Sequence, residues 1–71
     1  MQTIDLQGPQ GNAYALIGIA KSLGKQLAFP MDKTEGIVVE MMKGSYQNLL
    51  TVFEHNFCEY VQLINKPGEE Q

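Results

Sequence analysis

The chain has 71 residues, enough for one domain, and its eight acidic and five basic residues give a net charge of −3. Every basic residue is a lysine, so the arginine that usually makes bidentate contacts with phosphate and guanine is missing, and nucleic-acid binding is disfavoured. A single cysteine excludes an internal disulfide, and Cys58 with His55 is too small a ligand set for structural zinc, so we expect no metal or other cofactor.

The apolar fraction of 44% is that of a globular protein rather than a disordered one. The longest apolar stretch, residues 13–20, is interrupted by Gly18 and is too short to span a bilayer. The first residues also lack the basic start and the apolar core of a signal peptide. We therefore expect a small acidic protein of the cytoplasm that has no membrane association.

Residues 3–7 alternate polar and apolar side chains, which predicts a short strand with Ile4 and Leu6 facing the core. The Gly-Pro-Gln-Gly sequence at residues 8–11 ends this strand, because proline cannot donate a ladder hydrogen bond and glycine readily adopts turn conformations.

The loop between this strand and the following helix is a candidate ligand site. A glycine-bearing loop before a helix N-terminus can hold an anion, such as a nucleotide phosphate, on its backbone amides. The residues concerned are Gly8, Gly11, Asn12 and Ala13. The loop lacks the lysine and hydroxyl of a P-loop and the glycine spacing of a dinucleotide fingerprint, so a strand-to-helix turn capped by Asn12 is the favoured interpretation.

Apolar residues recur with helical spacing after Asn12 and predict a helix. The stripe of this helix consists of Leu16, Ile19, Ala20, Leu23 and Leu27. Gly18 costs the helix about 1 kcal/mol relative to alanine. Its position close to the small residue Ala15 indicates that another helix approaches closely at this point.

Residues 28–31 predict a connector that is extended before Pro30. Asp32 and Glu35 then fit a capping box, with Asp32 as the N-cap of a second helix. The apolar face of that helix consists of Ile37, Val38, Met41 and Met42. A strand over residues 36–42 is the alternative, and it is disfavoured because polar and apolar residues do not alternate there.

Gly44 predicts the end of the second helix, and Ser45 predicts the N-cap of a third. The third helix has the most regular stripe of the chain, which consists of Tyr46, Leu49, Leu50, Phe53 and Phe57. Residues 59–64 are rich in aromatic and β-branched side chains and predict a second strand. Residues 65–71 predict a disordered polar C-terminal tail.

The predicted order of elements is β-α-α-α-β, in a single α+β domain of residues 1–64. We expect the two terminal strands to pair antiparallel and to be covered by the helices. A two-stranded sheet is marginally stable by itself and has two exposed edges. A core of this size without a disulfide or metal also favours association with another chain, and we expect a homodimer.

His55 and Cys58 could act as a base and a nucleophile, but a chain of this size leaves little volume for a substrate cleft. His55 is more simply a solvated residue at a helix end and Cys58 a small buried hydrophobe, so we predict no catalytic residue and no enzyme. Aromatic and methionine side chains, in contrast, suit contacts with a protein. The interface candidates are Tyr14, Phe29, Met31, Met41, Met42 and Tyr60.

Two segments resemble short hypothetical proteins encoded by tailed bacteriophages. Residues 5–16 read Asp-Leu-x-Gly-Pro-x-Gly-Asn-Ala-x-Ala-Leu, and residues 44–54 read Gly-x-Tyr-x-Asn-Leu-Leu-x-Val-Phe-Glu. The resemblance implies a phage accessory protein in the cytoplasm of the bacterial host, and such proteins often bind and redirect a host protein. The favoured hypothesis is a non-enzymatic homodimer that binds a host or phage protein. The alternative is a regulatory protein that binds an anion at residues 8–13.

Overall fold

The computed structural model describes residues 2–66. In chain order these residues form strand β1 (Gln2–Asp5), helices α1 (Ala13–Gln26), α2 (Met31–Met41) and α3 (Tyr46–Phe57), and strand β2 (Val61–Ile64). The predicted order of elements is confirmed, since the described chain is a small α+β domain of three helices and two strands.

The two strands form a parallel sheet, which makes the predicted antiparallel pairing wrong. Gln2 lies opposite Val61, and Asp5 lies opposite Ile64. Four connections join the five elements. If each connection reverses the chain direction, four reversals leave β2 running in the same direction as β1. The alternation of polar and apolar residues is the same for both directions of a strand, so the pattern that predicted the strands carried no information about their relative direction.

Both strands are shorter than predicted. The Asp5 side chain accepts a hydrogen bond from the amide of Gln7 at 2.9 Å, and this local turn ends β1 at Asp5. At the other end of the domain, the amide of Tyr60 donates to the carbonyl oxygen of Phe57 at 2.9 Å. The chain is therefore still turning away from α3 at this point, and β2 begins only at Val61.

Side-chain caps start α1 and α3 as predicted. The side-chain oxygen of Asn12 accepts from the amide of Ala15 at 2.9 Å, and the hydroxyl oxygen of Ser45 accepts from the amide of Asn48 at 3.1 Å. Gly44, immediately before Ser45, has a φ of 84°. This left-handed conformation favours glycine and separates α2 from α3.

The segment before Gly44 is a helix, as predicted, but α2 does not start where the capping box placed it. Its N-cap is Pro30, which makes no side-chain hydrogen bond, and Met31 is the first helical residue. The carbonyl oxygen of Pro30 accepts from the amides of Lys33 and Thr34, and Asp32 lies inside the first turn, so the prediction of Asp32 as N-cap is wrong. Because proline has a φ of about −65° and disfavours helical conformation in the preceding residue, the helix begins directly after Pro30.

The core lies between the helices and the inner face of the sheet. Ile4 and Leu6 face it as predicted, and the rings of the fully buried Phe53 and Phe57 lie 5.2 Å apart. The other buried apolar residues are Leu16, Ala20, Leu23, Ile37, Val38, Met41, Leu49, Leu50, Val61 and Leu63, while Ile19, Leu27 and Tyr46 are partly buried against them. The stripes predicted for α1 and α3 are thus the helix surfaces that build the core.

The close approach between α1 and α2 occurs at Gly24 rather than at Gly18. Gly18 is exposed, and a Cβ atom built there meets nothing within 4 Å, so the predicted helix contact at Gly18 is wrong. Gly24 is buried, and a Cβ atom at this position would overlap the side chain of Thr34 on α2. The absence of a side chain at Gly24 therefore sets the spacing of the two helices.

The first two residues of the predicted tail contact the domain. Asn65 Nδ2 donates to Asp5 Oδ1 at 3.0 Å, and Lys66 Nζ lies 2.7 Å from Glu54 Oε2. Asn65 has a φ of 58°, a conformation that asparagine tolerates better than most residues. The rest of the predicted tail, residues 67–71, lies outside the described residues.

Candidate functional site

Several polar groups of the loop between β1 and α1 hydrogen-bond to one another. The amide of Gly8 donates to the carbonyl oxygen of Asp5, and the amide of Gly11 donates to the carbonyl oxygen of Gly8, each at 3.0 Å. The Asn12 side chain accepts from the first turn of α1 and donates to the carbonyl oxygen of Pro9 at 3.0 Å. These groups stabilise a turn and are not directed at a ligand.

Asp5 places a negative charge at the base of this loop. Its carboxylate accepts hydrogen bonds from Asn65 Nδ2 at 3.0 Å and from the Gln7 amide at 2.9 Å, and these hold the pKa of Asp5 below its ordinary value. A charged carboxylate here repels a phosphate. The geometry therefore favours the structural interpretation of the ligand-site candidates, Gly8, Gly11, Asn12 and Ala13.

Gly11 is the point at which the loop packs on the rest of the fold. A Cβ atom at this position would overlap the backbone of Leu6, so a side chain does not fit. The hydroxyl of Tyr46 donates to the carbonyl oxygen of Gly11 at 2.7 Å. Burial raises the pKa of Tyr46, which keeps its phenol protonated as the donor of this bond.

Residues 44–54 also stabilise the fold. Asn48 Nδ2 donates to the carbonyl oxygens of Glu40 and Lys43, which satisfies carbonyl groups at the end of α2. Glu54 pairs with Lys66 across the end of the domain. Asn48 and Glu54 thus make structural contacts.

His55 and Cys58 are both exposed, whereas the sequence predicted a buried Cys58. Phe57 takes the buried position at the end of α3, and the next residue, Cys58, faces solvent. Neither His55 nor Cys58 lines the groove that lies between α1 and α2. Within residues 2–66, histidine, cysteine and acidic side chains form no group of three that could hold a metal ion.

The six interface candidates differ widely in exposure. Met41 is 1% exposed and belongs to the core, so it is not a surface contact. Phe29 is partly buried, and its ring stacks on that of Phe57 with centroids 6.1 Å apart. The exposed candidates are Tyr14 at 89%, Met31 at 77%, Met42 at 64% and Tyr60 at 41%.

Met31 and Met42 share one side of α2 with Val39, which is 54% exposed. Together with Val38, which lies toward the core, they fall within about 100° of the helix circumference. We call these four residues the α2 apolar face (Met31, Val38, Val39 and Met42). Val39 is not among the predicted interface residues, although its eight-residue spacing from Met31, slightly more than two turns, is a signal for it.

The α2 apolar face borders a groove between α1 and α2 with a volume of about 700 Å³. Met31, Val38 and Val39 line the groove from α2, together with Thr34 and Glu35. From α1 and the connector that follows it, the lining residues are Lys21, Gly24, Lys25 and Phe29. The groove is therefore apolar along much of its length, with positive charge on the α1 wall and one carboxylate on the α2 wall.

Three lysines surround the groove without an ion pair to any carboxylate of residues 2–66. Lys21 and Lys25 line the α1 wall, and Lys33 Nζ lies 4.0 Å above the ring centroid of Phe29. The remaining lysines are ion-paired, Lys43 with Glu40 at 2.9 Å and Lys66 with Glu54 at 2.7 Å. Among residues 2–66, the lysines that have no acidic partner thus line the groove or lie over its lining residue Phe29.

No family model, curated protein or solved structure matches the chain. None of the helices in residues 2–66 combines the length and the apolar character needed to cross a bilayer. The α2 apolar face and the adjoining groove are the features of the described surface that call for a functional explanation.

Proposed function

We propose that the protein is a non-enzymatic accessory protein that acts by binding another protein, with the α2 apolar face and the groove as its binding surface. The observation that carries this proposal is the exposure of Met31, Val39 and Met42 on one side of a helix whose other side builds the core. Complete burial of such a side chain contributes about 1.5–3 kcal/mol. Large apolar side chains grouped on one surface mark a site of interaction.

The chemistry of the groove supports binding rather than catalysis. Its described lining consists of apolar side chains, two lysines, Thr34 and the carboxylate of Glu35. A histidine or cysteine is not among these residues, and the threonine hydroxyl faces the close contact with Gly24. Methionine side chains at the edge of the groove are flexible and polarisable, so they can adapt to the shape of a partner.

The resemblance of residues 5–16 and 44–54 to short phage proteins supports the biological setting. We infer that the protein works in the cytoplasm of a bacterial host, where it binds and modulates a host or phage protein, and that it is a homodimer in the absence of that partner. Occlusion of the partner's surface is the simplest mechanism, because it requires no chemical step.

The alternative, anion binding at residues 8–13, has less support. The side chain of Asn12 is committed to hydrogen bonds within the turn, and the Asp5 carboxylate opposes an incoming anion. A thermal-shift screen with phosphate and nucleotides should therefore give no stabilisation, whereas a ligand present at 100 times its dissociation constant would add about 2.7 kcal/mol.

Affinity capture from a bacterial lysate, followed by mass spectrometry, tests the proposed function. The wild-type chain is compared with the double variant Met31→Ser/Val39→Ser, which changes only exposed positions and leaves the core intact. Tyr60→Ser is the matched control, because it removes an exposed aromatic side chain outside the groove.

We expect a protein that is retained by wild type and by Tyr60→Ser but lost from the double variant. A wild-type chain that retains no protein would contradict the proposal. So would a partner that the double variant retains as well as wild type does, because the binding surface would then lie elsewhere.

A further inference from the structure

We propose that the groove of one copy takes the α2 apolar face of a second copy, which gives a symmetric homodimer with antiparallel α2 helices. This inference rests on the proposed function in one respect, since it names the surface through which the proposed homodimer forms, and a host or phage protein that binds this surface then replaces the second copy. In this arrangement the two α2 helices lie between the α1 helices of the two subunits, as in a four-helix arrangement.

The two walls of the groove carry opposite charges. Lys21 and Lys25 lie on the α1 wall, and Glu35 lies on the α2 wall. Within one chain, Glu35 forms no ion pair with either lysine in the described residues. When α2 of a second copy enters the groove, its glutamate meets the α1 wall, and two-fold symmetry repeats this contact.

The apolar residues of α2 fit the same symmetry. Met31 and Met42 lie at equal distances on either side of a midpoint between residues 36 and 37. Antiparallel packing about this midpoint places Met31 of one copy beside Met42 of the partner subunit. The two methionines are separated by about 17 Å along the helix, or three turns, so the apolar contact extends over the length of α2.

The edges of the sheet offer a smaller surface for a dimer. Each strand has four residues, and the carbonyl oxygen of Asp5 is already occupied by the amide of Gly8. A stable interface of ordinary size buries about 800 Å² per subunit, out of a total accessible surface of 4730 Å² for this chain. The groove and the exposed side chains of Met31, Val39 and Met42 can contribute apolar area to such an interface. A four-residue strand edge offers mainly backbone hydrogen bonds.

Size-exclusion chromatography with light scattering on the full chain tests this inference by charge reversal. Wild type should have twice the mass of one chain. Glu35→Lys places like charges across the interface, and so does Lys21→Glu/Lys25→Glu. Each variant alone should raise the dimer dissociation constant by at least about tenfold, because two symmetric contacts change from attraction to repulsion.

An equimolar mixture of these two variants provides the decisive measurement. In the mixed dimer, the lysine at position 35 faces glutamates at positions 21 and 25, and the wild-type glutamate faces wild-type lysines. Attraction is restored at both contacts, so light scattering of the mixture should again give the mass of a dimer. Glu59→Lys is the matched control, because it makes the same charge change at an exposed residue outside the groove and should leave the dimer intact.

Circular dichroism establishes that each variant is folded, and all the altered residues are exposed. A monomeric wild type, a dimer that both charge reversals leave intact, or a mixture that stays monomeric would overturn the inference. If a monomeric wild type still captures a lysate protein through the groove, only the homodimer is refuted, and the proposed binding of another protein stands.

Discussion

The hydroxyl of Tyr46, at the start of α3, donates a hydrogen bond of 2.7 Å to the carbonyl oxygen of Gly11, 35 residues earlier in the chain. Gly11 itself packs so closely on the backbone of Leu6 that a Cβ atom does not fit. The loop between β1 and α1 is thereby fixed to α3, and residues 5–16 and 44–54 form one structural unit. The close contact with Leu6 explains the glycine at position 11, and the hydrogen bond to Gly11 explains the hydroxyl of Tyr46.

Tyr46→Phe removes the hydrogen bond and leaves the carbonyl oxygen of Gly11 without this partner. We expect the free energy of unfolding to fall by about 1 kcal/mol, which lowers the melting temperature of a domain of this size by about 4–8 °C. Urea titration followed by circular dichroism measures the change. Tyr60→Phe is the control, since the hydroxyl of Tyr60 makes no hydrogen bond within residues 2–66, and equal losses in the two variants would contradict the role of Tyr46.

Gly18 and Gly24 should respond in opposite ways to replacement by alanine. A Cβ atom at Gly18 meets nothing within 4 Å, so Gly18→Ala should stabilise the protein by up to about 1 kcal/mol through reduced backbone entropy. A Cβ atom at Gly24 overlaps the side chain of Thr34, so Gly24→Ala should destabilise it by about 1–3 kcal/mol.

Urea titration of the same variants checks these two signs. Adding Thr34→Ala to Gly24→Ala should recover part of the lost stability, because it removes the atoms that the new Cβ meets. If Gly18→Ala lowered the free energy of unfolding as much as Gly24→Ala does, the assignment of the close helix contact to Gly24 rather than Gly18 would be wrong.

Burial in α1 and α3 could be predicted from the sequence because it repeats with the helical period. Leu16 and Leu23 in α1, and Leu50 and Phe53 in α3, are buried as their spacing indicated. The direction of β2 relative to β1 could not be predicted, because the alternation of polar and apolar residues is the same in both directions. The direction depends instead on how many times the chain reverses between the two strands. The start of α2 was misplaced because Asp32 matched a capping pattern, while the conformational preference of the preceding proline decided the boundary.

The groove could be predicted only in part. Met31 and Met42 were recognised from their residue type as contact candidates. Val39 was missed, because the adjacent Val38 made the pair resemble a strand. The groove also depends on the contact of Gly24 with α2 and on lysines of another helix, and no local pattern in the sequence reports such tertiary relationships.

Asp5 makes the stability of the fold dependent on pH. Hydrogen bonds from Asn65 and from the Gln7 amide lower its pKa below the ordinary value of 3.8. A carboxyl group whose pKa is lower in the folded state contributes stability above the unfolded pKa, and this contribution is lost as the pH falls through the folded value. Asp5→Asn should therefore be less stable than wild type at neutral pH, and the difference should shrink to nothing in acid.

Urea midpoints measured from neutral to strongly acidic pH test this dependence. Glu59→Gln is the control, since it removes an exposed carboxylate that accepts no hydrogen bond from the described residues. A difference between Asp5→Asn and wild type that stays constant at every pH would show that the charge of Asp5 is not the cause.

Met41 and Met42 are neighbours in the sequence with opposite environments, since Met41 is 1% exposed and Met42 is 64% exposed. Met41→Ala should lower the free energy of unfolding by about 2–5 kcal/mol, because it leaves a cavity in the core. Met42→Ala should change the unfolding free energy of the monomer by less than about 0.5 kcal/mol. The same substitution should weaken the dimer, because it removes apolar area only from the α2 apolar face.

Unfolding of both variants is measured at a concentration low enough for wild type to be monomeric, so that dimerisation does not contribute to the free energy. The dimer dissociation constant is then measured separately by light scattering at higher concentration. If Met42→Ala left the dimer dissociation constant unchanged, the end of α2 would not be part of the interface. A variant that instead lost stability as Met41→Ala does would mean that Met42 supports the core, and its exposure could no longer be taken as evidence for a binding surface.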